Sequence, residues 1–362
     1  MNKKTRSPLF HITKRDALPW YKSWGIRAAA ILLALIVCSI ITTTMTGENP
    51  LQVYATIFNG SFGSPRKVWV LLQNIAMLLC IALAVTPAFK MRFWNIGGEG
   101  QVLAGALAAA ACMICLRNTL PNALVIVCMC VSSILAGALW GFIPAYFKAK
   151  YNTNETLFTL MMNYIAISFI SYLQYGPWKD PESLGAAKIA RFSDNAILPK
   201  VFGIHAGWII MLALVVVMTI LLKYTKLGYQ IDVLGESETT ARYAGMNTLK
   251  IMIIAVLLSG GLCGVAGFMQ ASAVEKSITD QMSGGLGFTA VITAWLAKLK
   301  PPVIVVVSFA FSMLLQSGKA LQVMGIPSSI TEVLQGVIIF FVLGSEFFIN
   351  YKISFRKADK EG

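Results

Sequence analysis

The sequence predicts an all-α membrane protein of about ten transmembrane helices, with the N- and C-termini both cytoplasmic. Three observations carry this. Of the 362 residues, 57% are hydrophobic and only 13% charged, whereas a soluble domain carries about 25% charge. Ten apolar stretches recur along the chain, and most reach the ~20 residues that cross a bilayer as a helix. The 30 Lys and Arg are unevenly placed. With the N-terminus inside, 21 fall in inner segments and 9 in outer ones, the asymmetry that sets membrane topology.

Residues 1–26 form a polar cytoplasmic lead, too long for a cleaved signal peptide. Trp20, Tyr21 and Trp24 at its end suit a membrane interface. A transmembrane domain over 27–349 follows. Its spans are expected at 27–46, 68–89, 100–116, 122–146, 155–173, 204–222, 249–273, 284–299, 301–318 and 326–349, and a basic cytoplasmic tail fills 350–362. The connections at 90–99, 117–121, 147–154 and 274–283 are short, which makes consecutive helices antiparallel neighbours. Two connections are longer. The outer loop 174–203 holds Lys179, Lys188, Arg191 and Lys200 against Asp180, Glu182 and Asp194, so it is nearly neutral. The inner segment 223–248 is polar, and its Glu238 and Arg242 form an i,i+4 pair that favours a short helix. Composition leaves that segment either a solvated connector or a docking element.

The formal charge of +14 follows topology and contact with anionic lipid, which argues against nucleic acid. Seven cysteines fall in apolar spans. Cys112 and Cys115 form a C-x-x-C with two residues between them, but no second pair or histidine cluster joins them, so all seven read as small buried hydrophobes. His11 and His205 are the only histidines. The acids near the membrane (Glu99, Glu155, Glu332 and Glu346) are scattered and unmatched by histidine, which removes an enzyme constellation. Mid-span charge is almost absent, which argues against an ion-coupled carrier, the alternative of another class.

Residues 93–101 read FWNIGGEGQ. This is not a phosphate loop, since neither a following Lys-Ser/Thr nor a preceding strand is present. Gly137–Gly141 and Gly260–Gly264 are G-x-x-x-G pairs, read as close helix packing. The third and eighth spans are both short and Gly-led. That suggests an inverted repeat of five plus five, with a transport site at the paired interruptions. Polar uncharged residues dot the spans, among them Asn74, Gln316 and Gln335. Each reads as an interhelical hydrogen-bonding group or as part of a path for a neutral solute. On polarity and position the candidate path is Asn95, Glu99, Gln101, Asn163, Gln270, Phe288 and Trp295. Glu99 at a helix start reads first as a cap for free backbone N–H groups and second as a solute contact. Trp94, Phe288 and Trp295 are either packing or a platform for a planar base.

FWNIGGEGQVLAGALAA at 93–109 resembles the FNIGxEGQ signature of permease subunits of bacterial ABC importers in the branched-chain amino-acid/simple-sugar/nucleoside class. GFIPAYFKAKYNTNETLFTLMMNYIA at 141–166, ARYAGMN at 241–247, LLSGGLCGVAGFMQ at 257–270 and GGLGFTAVITAWLAKLKP at 284–301 resemble further segments of that group, in collinear order. The 141–166 stretch is most similar to nucleoside members, which work with a basic-membrane-protein-like lipoprotein receptor. Ala145-Tyr146 and Ala297-Lys298 depart from the family pattern at positions that bear on substrate rather than fold.

The resemblance implies a non-catalytic permease subunit of an ATP-driven importer in the bacterial inner (plasma) membrane. Its solutes would be nucleosides or related neutral compounds, or alternatively a simple sugar such as ribose or galactose. The implied partners are an ATP-binding subunit, a second permease subunit (like or unlike), an extracytoplasmic solute-binding lipoprotein and membrane lipid. This chain would bind no cofactor or metal, ATP and Mg being used by the ATPase. Residues 226–248 would be the coupling loop, with Glu236, Thr240, Arg242 and Gly245 at the ATPase groove.

Overall fold

A computed structural model describes residues 10–15, 18–116, 118–181, 183, 187–189, 192–193, 196–201, 203–323 and 325–355. The chain divides into two compact units, residues 1–63 with 314–362, and residues 64–313. Among the described residues, nine helices are long and apolar enough to cross a membrane, and a shorter apolar one covers Leu286–Leu296. Every expected span therefore coincides with a helix.

The first unit holds β1 (Phe10–Lys14), α1 (Trp20–Thr46) and α2 (Pro50–Phe62). Near the end of the chain come α13 (Ser328–Asn350) and β4 (Tyr351–Phe355). α1 packs along α13, and Arg27 meets Glu346 at 2.7 Å. β1 and β4 pair antiparallel, Phe10 opposite Phe355 and Lys14 opposite Tyr351. This places the two ends of the unit on one side. α2 lies between the first two expected spans, in a stretch to which no element was assigned. The Asn49 side chain accepts the Leu51 N–H and Pro50 fills the first helical turn, both strong helix-start signals. Gly60 on α2 comes so close to the chain at 317–320 that an added Cβ would sit 2.8 Å from that of Ala320. Gln316 donates to the Gly60 carbonyl at 3.1 Å.

The second unit runs through α3 (Pro65–Lys90), α4 (Gly98–Leu116), α5 (Asn122–Tyr151) and α6 (Glu155–Tyr175). The small hairpin β2 (Lys200–Val201) and β3 (Ile204–His205) precedes α7 (Gly207–Tyr224). Then come α8 (Lys226–Glu236), α9 (Glu238–Tyr243) and α10 (Thr248–Met269), the last continued by a π-helical turn at Gln270–Glu275. The short α11 (Leu286–Leu296) and the start of α12 (Pro301–Val323) complete it. α5 runs past its expected end at 146 to Tyr151, where Asn152 terminates it in the left-handed region. The inner segment is helical for most of its length, and the Glu238–Arg242 pair forms at 2.6 Å.

The core of this unit is α3, α4, α5 and α10. In lipid, apolar side chains gain little by leaving one apolar medium for another, so close backbone approach takes over. The two G-x-x-x-G pairs face each other. A Cβ on Gly264 would lie 2.0 Å from the Ser133 carbonyl, and one on Gly137 would lie 2.3 Å from that of Gly260. Ser133 adds a hydrogen bond to the Gly105 carbonyl at 2.8 Å, tying α5 to α4. The cysteine expectation needs correction. Cys38, Cys80 and Cys263 are buried, Cys112, Cys128 and Cys130 are partly so, and Cys115 is exposed. Cys115 is on the last turn of α4, where the burial of that helix ends.

Gly264→Ala should destabilise the protein by about 1–3 kcal/mol, because backbone on both helices would have to move apart. Gly261→Ala, whose nearest neighbour would be an Ile134 methyl at 3.4 Å, should cost much less. Thermal unfolding of the two variants in one detergent tests the contrast, and equal melting temperatures would contradict the packing account.

Candidate functional site

The FWNIGGEGQ segment is the irregular lead into α4 and its first turn. Asn95 is fully buried. Its Oδ1 accepts from the Gly97 N–H and from Gln101 Nε2, both at 3.1 Å. Its Nδ2 donates to Gln101 Oε1 at 3.2 Å and to Ser259 Oγ on α10 at 3.1 Å. Asn163 reaches across from α6. It accepts the Gly100 N–H at 2.8 Å and donates to the Ile96 carbonyl at 3.0 Å. Such buried amides are stabilising only when satisfied on both sides, as Asn95 and Asn163 are.

Glu99 joins α4 to α11. It is 5% exposed. Its Oε1 accepts the Ser283 hydroxyl in a short hydrogen bond and the Gly285 N–H at 3.0 Å. Its Oε2 accepts the Gly287 N–H at 2.7 Å. These groups stand at the start of α11, where backbone donors have no helical partner and the dipole favours negative charge. A carboxylate from one helix therefore caps another. The glycine at 287 is required by this approach, since a Cβ there would lie 2.5 Å from the Glu99 backbone nitrogen.

The third and eighth expected spans thus meet directly. Around them α3 packs on α10, α4 on α10 and α11 on α3. Before α11 the chain is irregular from 276 to 285, so α11 is a half-length helix entered through unwound backbone, the arrangement found at transporter binding sites. Parts of the outer loop lie against this segment. Ile189, Phe192 and Leu198 donate backbone hydrogen bonds to Ile278, Lys276 and Ser272. Asp280 accepts from the Ser171 hydroxyl at 2.7 Å and donates its N–H to Gln174 at 2.8 Å, both on α6.

Of the seven path candidates, the structure brings Asn95, Glu99, Gln101 and Asn163 together around the first turn of α4, all buried. Gln270 stands apart, opening the π turn and donating to the Met282 carbonyl at 3.0 Å. Phe288 and Trp295, seven residues apart on α11, are 40% and 41% exposed. Trp295 stacks on Trp94 with centroids 5.3 Å apart, and Phe89 meets both edge-on. Of the other acids, Glu155 pairs with Lys148 at 2.9 Å and Glu346 with Arg27. His205 is buried outside the spans, and burial pushes its imidazole below the ordinary value.

Sequence reasoning missed an open face of α6. Met161, Tyr164, Tyr172 and Tyr175 are all more than 60% exposed. They lie on one side of the helix, opposite the buried Thr159, Asn163 and Ala166. The signal was available, since tyrosines at i, i+8 and i+11 in an apolar span share a face.

A second surface is built from α8 and α9. Gly235 packs onto the end of α3 so tightly that a Cβ would overlap the Lys90 carbonyl, and Lys90 pairs with Asp232 at 2.6 Å. Ile231, Leu234 and Ala241 are buried in a cluster with Met91, Phe93, Ala145 and Val256. Outside this anchor, Glu236, Thr240, Arg242 and Gly245 are exposed. Tyr243, which sequence reasoning passed over, is 92% exposed. The Glu238–Arg242 pair is exposed as well, so it adds little stability. The cluster that anchors this surface includes Phe93, six residues before Glu99.

Glu99→Ala should lower the melting temperature sharply, because each buried N–H left unpaired costs about 1–3 kcal/mol. Glu99→Gln keeps an acceptor and should lose clearly less. Thermal unfolding of purified protein tests this, and an Ala variant as stable as wild type would contradict it.

Residues 70–343 match the family described as branched-chain amino acid transport system / permease component. A glucose ABC transporter permease protein of Haloferax volcanii is 28% identical, over 94% of this chain and 92% of its own. A nucleoside ABC transporter permease protein of Lactococcus lactis subsp. cremoris is 28% identical, over 91% and 93%. A guanosine ABC transporter permease protein of Bacillus subtilis is 28% identical, over 87% and 92%.

Proposed function

We propose, on the premise that this chain belongs to the permease-component family of branched-chain amino acid transport systems, that its solute is an uncharged nucleoside. The chain is a multi-pass plasma-membrane protein and a non-catalytic permease subunit of an ABC importer, with ATP hydrolysed on a separate subunit. One observation carries the choice of a neutral solute. In transporters of broken-helix design, a half-helix N-terminus faces the anionic group of the substrate. Here that terminus on α11 is filled by the chain's own Glu99. A solute carboxylate or phosphate would meet a buried carboxylate instead of free N–H groups.

The nucleoside reading draws on the Lactococcus and Bacillus relatives and on the exposed aromatic faces. Tyr164 and Tyr172 on α6, with Phe288 and Trp295 on α11, offer rings to a planar base. The four buried residues at the start of α4 then position these two helices, and Gln270 sits at the π turn on the outer approach. The Haloferax relative favours a second reading, a simple sugar, because neutral hydroxylated rings stack on the same aromatics.

Importers of this family work with ATPase and binding-protein partners. In our reading the ATPase grips α9 through Glu236, Thr240, Arg242 and Gly245, with Tyr243 as the central aromatic anchor. A second permease subunit, like or unlike, closes the path opposite α6. A solute-binding lipoprotein delivers the solute from outside. No cofactor sits in this chain, and ATP and Mg serve the ATPase. Movement at α9 passes through its buried cluster to Phe93 and so to the Glu99 junction, as a rigid-body shift of packed helices.

In vesicles holding the complete importer and its receptor, guanosine uptake should require ATP and exceed glucose uptake. Tyr164→Ala should reduce it by roughly an order of magnitude, the loss of a stacking contact of about 1–3 kcal/mol. Preferential glucose uptake would favour the sugar reading, and uptake driven by an ion gradient without ATPase would overturn both. Arg242→Glu and Tyr243→Ala should leave the permease folded and ATPase activity detectable, but unlink hydrolysis from uptake. Unchanged uptake in both variants would place the ATPase elsewhere.

A further inference from the structure

We infer that the space between α4, α5 and α6 is a binding site for one acyl chain of a membrane phospholipid. The cavity measures about 450 Å3, within the ~300–1,000 Å3 of typical small-ligand sites. Ala104 and Ala108 of α4, Ala136 of α5 and Ala166 of α6 line it, with Trp140 on one wall and Trp178 beyond the end of α6. No charged residue is among those that border it.

Small residues on membrane helices ordinarily bring backbones together, as the glycines of α5 and α10 do in this same unit. Here the alanines border open space. Protein interiors are packed to crystal-like density, and an apolar void stays dry and accepts apolar guests. The nature of the guest follows from the position of the opening. Leu139 and Phe169 line the cavity and are also 63% and 47% exposed, so it opens sideways between two helices that cross the membrane. What stands outside such an opening is hydrocarbon.

The site lies behind a working element. The cavity-lining positions of α6 (Ala166, Phe169, Ile170 and Leu173) fall on the side of the helix away from Tyr164, Tyr172 and Tyr175. α6 packs mainly on α4 and only lightly on α5. An acyl chain in the cavity supplies the packing that α5 leaves out and sets how firmly α6 is held. This inference does not rest on the identity of the transported solute.

The test is native mass spectrometry of the complete importer after extensive detergent washing. One phospholipid should remain per copy of this chain. Ala108→Phe and Ala166→Phe, which place a ring in the space, should each lower retention at least about tenfold while the complex stays assembled. Should either variant fail to assemble, fluorescence supplies the second measurement. Phospholipids brominated on the acyl chain should quench a tryptophan component in wild type, and that component should vanish in a Trp140→Phe/Trp178→Phe variant. A washed wild-type complex without retained lipid, or retention unchanged in both filled variants, would overturn the inference. So would quenching unaltered by removal of the two tryptophans, or a cross-link from Ala108→Cys to a neighbouring permease subunit.

Discussion

The buried carboxylate of Glu99 on the N-terminus of α11 is the interaction on which the rest of the second unit depends. It replaces water for three donors at the start of a half-length helix: the Ser283 hydroxyl and the Gly285 and Gly287 amides. Without it, unwound backbone could not end inside an apolar medium at tolerable cost, because unpaired polar groups there are expensive. The glycines at 100 and 287 let the partners approach, and the Asn95–Gln101 and Asn163 bonds fix the turn that carries Glu99. A motif that reads like a phosphate cradle is thus a cradle for a helix end.

This junction also links function to structure. α6 reaches it through Asn163 and α11 through Glu99, so the two helices with exposed aromatic faces are set by one turn of α4. Phe93, a few residues earlier, lies in the cluster that anchors α9. The buried cluster beneath α8 and α9 and the Glu99 junction are thus joined by a short run of packed residues. The internal charge of Glu99 occupies the Gly285 and Gly287 amides at the α11 terminus, which an outside anion would otherwise meet.

Much of this was legible in the sequence. Hydropathy placed all ten apolar segments, because length and charge exclusion are strict demands of a bilayer. The shortness of the eighth segment and its Gly lead correctly pointed to α11. The G-x-x-x-G pairs read as packing and do face each other. What escaped notice depended on three-dimensional partners. Asn95 and Gln101 look alike whether they face a solute or each other, and only the fold shows them bonded together. Tyr164, Tyr172 and Tyr175 were passed over because aromatic residues are common in spans, although their spacing put them on one face. α2 was missed because residues 47–67 are too polar for a span, yet Asn49-Pro50 is a helix start that local reading can detect.

Hydrogen–deuterium exchange of the amides at 283–289 in the assembled importer tests the Glu99 junction most directly. The account predicts that these amides are protected in wild type and exchange much faster in Glu99→Ala, with Glu99→Gln between the two. Fast exchange in the wild-type protein, or protection unaffected by Glu99→Ala, would contradict it.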